Sequence, residues 1–396
     1  MENLLFLAHR IPYPPNKGDK IRSFHLLKRL SKHYQVHLGT YIDDPADWQH
    51  VDKLNALCAR THYLALTPRL AKIKSLIGLL TGQALSVPYY NNQVMQAWVD
   101  QTISQYQIKK VLIFSSPMSQ FINDSHDVEM VVDFVDVDSD KWRQYAAKKS
   151  GLPKWIYQRE SEYLLKFERE IAAKAKASVF VSEQEAGLFK QLAPEGNDKI
   201  THINNGVDTD YFSPEQSLES PFMTDEVAMV FTGAMDYWAN VDAVTWFANE
   251  VFPGIINSYP SAKFYIVGSK PSKEVQELAR QRNIVVTGAV DDVRPYIAHA
   301  KMVVAPLRIA RGIQNKVLEA MAMGKYVVAT TAAMEGIVCA EPIDVAIDDE
   351  AEAMAKHTVE WLRMNPQAFA STNNREFVQL KFSWGQNLSR LMALLQ

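Results

Sequence analysis

Short apolar runs rich in Val, Ile and Phe recur along both halves of the chain, and stretches of helical periodicity separate them. In the first half the pattern predicts strands over residues 4–8, 36–40, 63–66, 111–114, 131–134, 178–181 and 200–203. In the second half it predicts them over 227–231, 264–267, 284–287, 302–305, 326–329 and 345–347. Amphipathic stretches such as 20–32 and 155–176 read as the helices between. Continuously apolar strands, rather than alternating ones, mark parallel sheets covered on both faces. Strands alternating with helices throughout predict an α/β protein of two tandem Rossmann-like, doubly wound domains facing each other across a cleft. Residues 204–221 (NNGVDTDYFSPEQSLESP) lack periodicity and are rich in Asn, Asp, Ser and Pro, which places the boundary there. The expected domains are 1–205, 206–380, and a final helix within 381–396.

Composition adds exclusions. A chain of 396 residues suits two domains, each large enough to bury its own core. With 42 Lys/Arg against 45 Asp/Glu, the net charge of −3 rules out a general nucleic-acid coat. The first 200 residues are nevertheless net basic and the remainder net acidic. That asymmetry reads either as two halves meeting different partners or as chance variation. Cys58 and Cys339 are the only cysteines, so no disulfide framework or cysteine zinc site is expected, and a reducing cytoplasm fits. The start of the chain lacks the charge and apolar core of a signal peptide. No apolar run approaches the ~20 residues needed to cross a bilayer.

In open α/β sheets, ligands bind beyond the carboxyl ends of the strands. The most informative such place is 305–330, APLRIARGIQNKVLEAMAMGKYVVAT. It reads as a strand end, a turn through Gly312, a helix running to Met323, and Gly324 closing that helix. Glycine at a helix entrance lets backbone N–H groups approach a phosphate, and the helix dipole favours the anion. Lys316 can add a point charge to a diphosphate, while Arg308 and Arg311 on the preceding loop offer fork-shaped donors. Glu319 lies one turn beyond Lys316 on the same face, placed to accept from two ribose hydroxyls. A simple surface ion pair is the competing reading. The apolar neighbours Val317, Leu318 and Met321 favour the functional one.

Gly312-x-x-x-Lys316-x-x-Glu319-Ala-Met-Ala-x-Gly324 resembles the donor-site signature of family-4 glycosyltransferases of the GT-B fold. Asn205-Gly206-Val207-Asp208 with Tyr211-Phe212 resembles that family's interdomain segment, and Phe231-Thr232-Gly233 with Asn240 its first nucleotide-domain loop. PYPPNKGDKIRSFHLLKRL resembles its glycine-containing first loop, which would set Gly18 near the donor phosphate or the acceptor. Residues 133–142 and 306–316 are most similar to the sugar transferases of exosortase and PEP-CTERM exopolysaccharide systems.

The resemblance implies a retaining, metal-independent enzyme with no cofactor. It would move a sugar from a nucleoside-diphosphate sugar to a lipid-linked saccharide acceptor. Arg308 and Lys316 would carry catalysis, and Gly18, Gly233, Arg311, Gly312 and Glu319 would bind the donor. It also implies a C-terminal helix crossing back to the first domain, for which Leu388, Leu391, Met392 and Leu395 supply the stripe. Several positions depart from the family pattern. Arg311 stands where its first glutamate would, and Ala234 and Asn240 stand where its first loop carries cations. Ser115-Ser116 stand near the place of its first-domain histidine.

Ser116, Asp136, Asp138 and Lys141 are the acceptor-side candidates. Asp136 and Asp138 read equally well as caps for a helix beginning near Ser139. Their Asp-x-Asp spacing is not taken as a metal motif, and no cluster has metal-ligand spacing. Residues 69–80, RLAKIKSLIGLL, set cations beside Leu and Ile. They read either as a helix lying on an anionic membrane surface or as one packing its apolar stripe on the sheet. Two other functions fit the architecture: a nucleotide-sugar epimerase, and a non-catalytic nucleotide-sugar-binding partner of another transferase. A nicotinamide enzyme is disfavoured, because Gly-x-Gly-x-x-Gly follows neither residue 8 nor residue 231.

Overall fold

A computed structural model describes residues 1–15, 18–224, 226–310, 313–337, 342–364 and 370–396. Arg311 and Gly312 lie outside the described residues. The chain divides into two compact units, Met1–Asn205 with Asn387–Gln396, and Gly206–Gln386.

The first unit contains β1 (Glu2–Ala8), β2 (Tyr34–Ile42), β3 (Arg60–Ala65), β4 (Lys110–Phe114), β5 (Glu129–Val135), β6 (Ala177–Phe180) and β7 (Ile200–His202). They form one sheet in the order β3-β2-β1-β4-β5-β6-β7, every pairing parallel. The second unit contains β8 (Val227–Thr232), β9 (Ala262–Val267), β10 (Ile284–Gly288), β11 (Met302–Ala305), β12 (Val327–Ala329) and β13 (Val345–Ile347). Their order is β10-β9-β8-β11-β12-β13, again all parallel. Each predicted strand falls on an observed one.

The central strands are apolar because helices cover both faces. Leu4 to Ala8 of β1 and Met302 to Ala305 of β11 are essentially without exposed surface. In each sheet the strand order reverses once, between β1 and β4 in the first unit and between β8 and β11 in the second. A crevice opens at such a reversal, so the loops after these four strands are where a ligand can enter.

The division between the units falls at the start of the predicted boundary segment. Only Asn204 and Asn205 fall in the first unit; the remainder is packed into the second. Arg294 stacks on the Tyr211 ring at 3.8 Å. The Arg375 guanidinium donates to the carbonyls of Thr209, Phe212 and Ala322. Val207 N donates to Phe382 O at 2.8 Å, and a Cβ on Gly206 would stand 2.7 Å from Trp384 N. That close approach explains the glycine. The final helix, Trp384–Leu394, starts in the second unit, and from Asn387 onward its residues group with the first.

Candidate active site

Gly288 ends β10, and Gly268 and Gly233 directly follow its neighbours β9 and β8. Gly233 N donates to Val267 O at 3.0 Å and Gly268 N to Gly288 O at 3.1 Å, which knits the strand ends together. A Cβ on Gly268 would fall 1.6 Å from Gly233 O, so the backbones touch where any side chain would collide. The floor beside β8 is therefore bare backbone.

Onto that floor points Lys316. Its helix, Asn315–Ala322, begins later than the predicted turn at Gly312, so Lys316 is its second residue rather than one turn in. The helix closes as expected. Gly324 takes φ +65°, Lys325 N donates to Ala320 O and Gly324 N to Met321 O, the paired bonds of a Schellman motif. Lys316 Nζ donates to Asn240 Oδ1 at 2.7 Å and lies 3.9 Å from the centre of the Phe231 ring. A Cβ on Gly233 would stand 3.2 Å from the same nitrogen. Asn240 is fixed in turn, its Nδ2 donating to Ala234 O at 2.9 Å.

Glu319 sits three residues on, on the same helix face. Desolvation dominates both charges. It pushes the Lys316 ammonium down to about 7 against the opposing pull of Glu319. It pushes the Glu319 carboxyl up to about 7 against the opposing pull of Lys316. Among the described residues no salt bridge joins the two. A cation and a carboxylate held with little water, and without an ion pair among the described residues, are poised for a ligand with complementary groups.

Arg308 is placed differently from its expected role. Its guanidinium forks onto Asp242, with Nε 3.1 Å from Oδ2 and Nη2 on Oδ1, and lies over the Trp246 ring at 5.7 Å. Hydrogen bonding to Asp242 holds its pKa above the ordinary value. Asn240 and Asp242 are two positions apart on the Trp238–Trp246 helix, hence on different faces. Lys316 and Arg308 are therefore held by side chains on different faces of one helix.

In the first unit, Gly18 opens the Gly18–Leu30 helix and is exposed. A Cβ there would meet nothing within 4 Å, so no crowding demands glycine. Ser116 is buried at the start of the short Ser116–Phe121 helix, behind Ser115 at φ +76°. Asp136, Asp138 and Lys141 close into one cluster, Lys141 Nζ lying 2.7 Å from Asp136 and 3.1 Å from Asp138. The capping alternative for these acids is corrected. Val137 N donates to Glu185 Oε2 at 2.7 Å, and Ser139 gives its N–H and hydroxyl to Glu168. Two glutamates from distant helices thus meet the start of the Asp138–Ala147 helix.

Several polar groups here had no role assigned from the sequence. Arg10 bridges Asp19 at 2.6 Å and Asp43 at 2.9 Å, and the His9 ring stacks on Phe114 with Nε2 3.5 Å from Asp19. These neighbours hold Asp19 well below the usual carboxylate range despite its burial. Arg22 pairs with buried Asp133 at 2.8 Å and donates to Ile203 O and Asn205 Oδ1. The Asp133 carboxylate also accepts from Val135 N, whose φ of +70° is rare for a β-branched residue. Among the described residues no group of His, Cys, Asp and Glu has the arrangement of a metal site.

Residues 226–364 match the family model described as Glycosyl transferases group 1. No curated protein sequence matches the chain. Among solved structures, a sucrose-phosphate synthase (tll1590) from Thermosynechococcus elongatus superposes with a TM-score of 0.66 at 15% identity, over 100% of this chain and 98% of its own. HepE from Anabaena, in complex with UDP-glucose, gives 0.60 at 15% identity, over 100% and 99%. WaaG, a glycosyltransferase involved in lipopolysaccharide biosynthesis, gives 0.65 at 15% identity, over 99% of both chains. The chain has the GT-B fold. The matched segment begins just before β8 and takes in Gly233, Asn240, Arg308, Lys316 and Glu319.

Proposed function

We propose that this chain is a retaining glycosyltransferase. It takes a sugar from a nucleoside-diphosphate sugar and adds it to a lipid-linked saccharide at the cytoplasmic face of a membrane, in exopolysaccharide assembly. The observation that carries the donor half is the desolvated Lys316–Glu319 pair beside the bare Gly233 floor, at the sheet's reversal point. The diphosphate would lie over Gly233 and take Lys316 from Asn240, and Glu319 would accept from the ribose hydroxyls. The group 1 match over this segment supports that reading, and so do structural neighbours solved with UDP or UDP-glucose. Retention rests on the family-4 resemblance of the 312–324 signature, and the exopolysaccharide setting on that of 133–142 and 306–316 to the exosortase-associated transferases.

As the bond from the anomeric carbon to the phosphate oxygen breaks, its electron pair stays on the diphosphate. The acceptor hydroxyl oxygen forms the new bond, and its proton passes to the departing phosphate. Charge on the diphosphate grows through this step, so a fixed cation favours the transition state over the ground state. Lys316 is assigned that role. Arg308 would join it only by exchanging the Asp242 carboxylate for a phosphate, which makes Arg308→Ala the milder of the two losses.

A thermal-shift screen against UDP, GDP, ADP and their sugars tests the donor site. A ligand at 100 times its Kd adds about 2.7 kcal/mol, a readily visible rise in Tm. No shift with any nucleoside diphosphate overturns the reading. Binding with neither hydrolysis nor transfer favours the non-catalytic partner instead.

A further inference from the structure

The segment after β3 turns its large apolar side chains the wrong way for a soluble helix. Over the Pro68–Ser75 and Ile77–Thr81 helices, the inward positions are the small Ala71, Ser75 and Gly78. The outward positions are Leu70, Ile73, Leu76, Ile77 and Leu80, each more than half exposed and Leu80 at 90%. The alternative in which this stripe packs on the sheet is thereby excluded. Arg69, Lys72 and Lys74 are interspersed and exposed, and residues 66–82 contain no acid.

A second apolar group adjoins it. Arg159 donates to the carbonyls of Gly78 and Gln83, which ties the Gly151–Lys174 helix to the end of this segment. One turn back along that helix is Trp155, 56% exposed, and beyond it Leu152, 67% exposed. Lys148, Lys149 and Lys154 lie around them, all exposed. Trp155, Gln158, Arg159, Glu162 and Tyr163 line a shallow groove on that helix.

We infer that this face of the first unit docks on an anionic lipid bilayer. Apolar side chains would enter the headgroup boundary and the surrounding lysines and Arg69 would meet lipid phosphates. Large residues outward over small ones inward, with the exposed cations Arg69, Lys72, Lys74, Lys148, Lys149 and Lys154 around them against Glu162 as the acid of the groove, match the chemistry of that surface. A second copy of this chain would bring the same cations against themselves, so like charge argues against self-association. The inference gains its purpose from the lipid-linked acceptor proposed above, but its surface is separate from the nucleotide site.

The test is flotation of the full chain with vesicles of phosphatidylcholine alone, or of phosphatidylcholine mixed equally with phosphatidylglycerol. UDP binding is measured on the same samples. The wild type should float with the anionic vesicles only, less so as salt rises. Arg69→Gln, Lys72→Gln and Lys74→Gln together should weaken binding on the order of a hundredfold. Leu76→Ser, Ile77→Ser and Leu80→Ser should abolish it. UDP binding should persist in both variants. No flotation of the wild type at low salt, or flotation that survives both variants, overturns the inference. So does a wild type that elutes as a dimer and becomes monomeric in the serine variant. Loss of UDP binding in the wild type itself would sink the donor reading and leave this one standing.

Discussion

Lys316 donates to Asn240 Oδ1 at 2.7 Å, so the partner of this desolvated cation is a neutral amide. Asn240 can hold Lys316 in place without neutralising it, because its other end is committed to Ala234 O. A carboxylate there would satisfy the ammonium and compete with any incoming phosphate. The amide leaves the positive charge available, which is what a diphosphate site needs.

Glu319→Ala should weaken UDP binding by one to two orders of magnitude while the fold persists. Charge-assisted hydrogen bonds to the ribose, worth roughly 1.5–3 kcal/mol, are lost. The folded state also sheds a carboxyl that burial pushes up to about 7, so Tm should not fall. Calorimetry with UDP checks the first point and thermal melts the second. Unchanged affinity would remove Glu319 from the ribose.

Lys316 gives a pH signature. Free, its ammonium titrates at about 7, and a bound diphosphate raises that value. Above about pH 7 binding must therefore take up a proton, and affinity should fall by up to about tenfold per pH unit. Below it the Lys316 contribution is level. Lys316→Arg keeps its charge throughout and should flatten the decline. Calorimetric titrations across that range distinguish the two, and identical profiles would separate Lys316 from the phosphates.

The strands were legible because an all-parallel sheet demands uninterrupted apolar runs, as in β1 and β11. Lys316 and Glu319 were legible because charges three apart on an otherwise apolar helix stand out. Their surroundings were not. Asn240 and Asp242 reach the 305–330 region from 66 to 76 positions away, and nothing local in the sequence encodes which cation each will meet. Arg22 did leave a trace, lying in register with Leu26 and Leu30 on the buried helix face, as did Asp133 within the apolar run of β5. A charge inside an apolar period signals a buried partner without naming it. The composition of 204–221 marked the boundary but not which unit holds the segment, because Asn, Asp and Pro mark irregular backbone whether it is loose or, as here, pinned by Arg294 and Arg375.

The paired glycines should separate binding from folding. In Gly233→Ala the new Cβ would meet Asn240 Nδ2 at 2.8 Å and Lys316 Nζ at 3.2 Å, both ends of side chains that can shift. That variant should fold but bind UDP at least tenfold more weakly. In Gly268→Ala the Cβ would fall on the Gly233 carbonyl, which cannot yield without parting β8 from β9. It should be strongly destabilised or insoluble. Circular dichroism and UDP calorimetry on the pair give the comparison, and normal binding by Gly233→Ala would move the phosphate elsewhere.

Glu168 predicts a pH dependence of stability. Burial lifts its carboxyl up to about 8, although Ser139 donates two hydrogen bonds to it. Between the ordinary carboxyl value and about 8 the folded state holds a proton that the unfolded state has released. Stability should therefore fall as pH rises through that window, by a few kcal/mol in all, and level off above it. Glu168→Gln carries no such term. Its Tm should exceed the wild type's at about pH 8 and approach it near pH 5. Parallel melting curves would place Glu168 as a permanently ionised cap.

The last helix should matter most to the unit farthest from it in sequence. Leu388, Leu391 and Leu395 are almost completely buried, and Asn387 Nδ2 donates to the carbonyls of Asn204 and Asn205 at 3.2 Å. Residues from Asn387 onward group with the first unit, whose other residues end at Asn205. Burying each leucine is worth ~2 kcal/mol, so deleting 387–396 should cost the first unit roughly 6 kcal/mol at most. That is a large part of a domain's usual stability. Leu388→Ser with Leu391→Ser should reproduce much of the loss with the chain length unchanged. Hydrogen exchange should then show faster exchange in β1, β4 and β5, while β8, β9 and β11 keep their protection. If the second unit alone loosens, these leucines stabilise it instead, and the first unit folds without the helix.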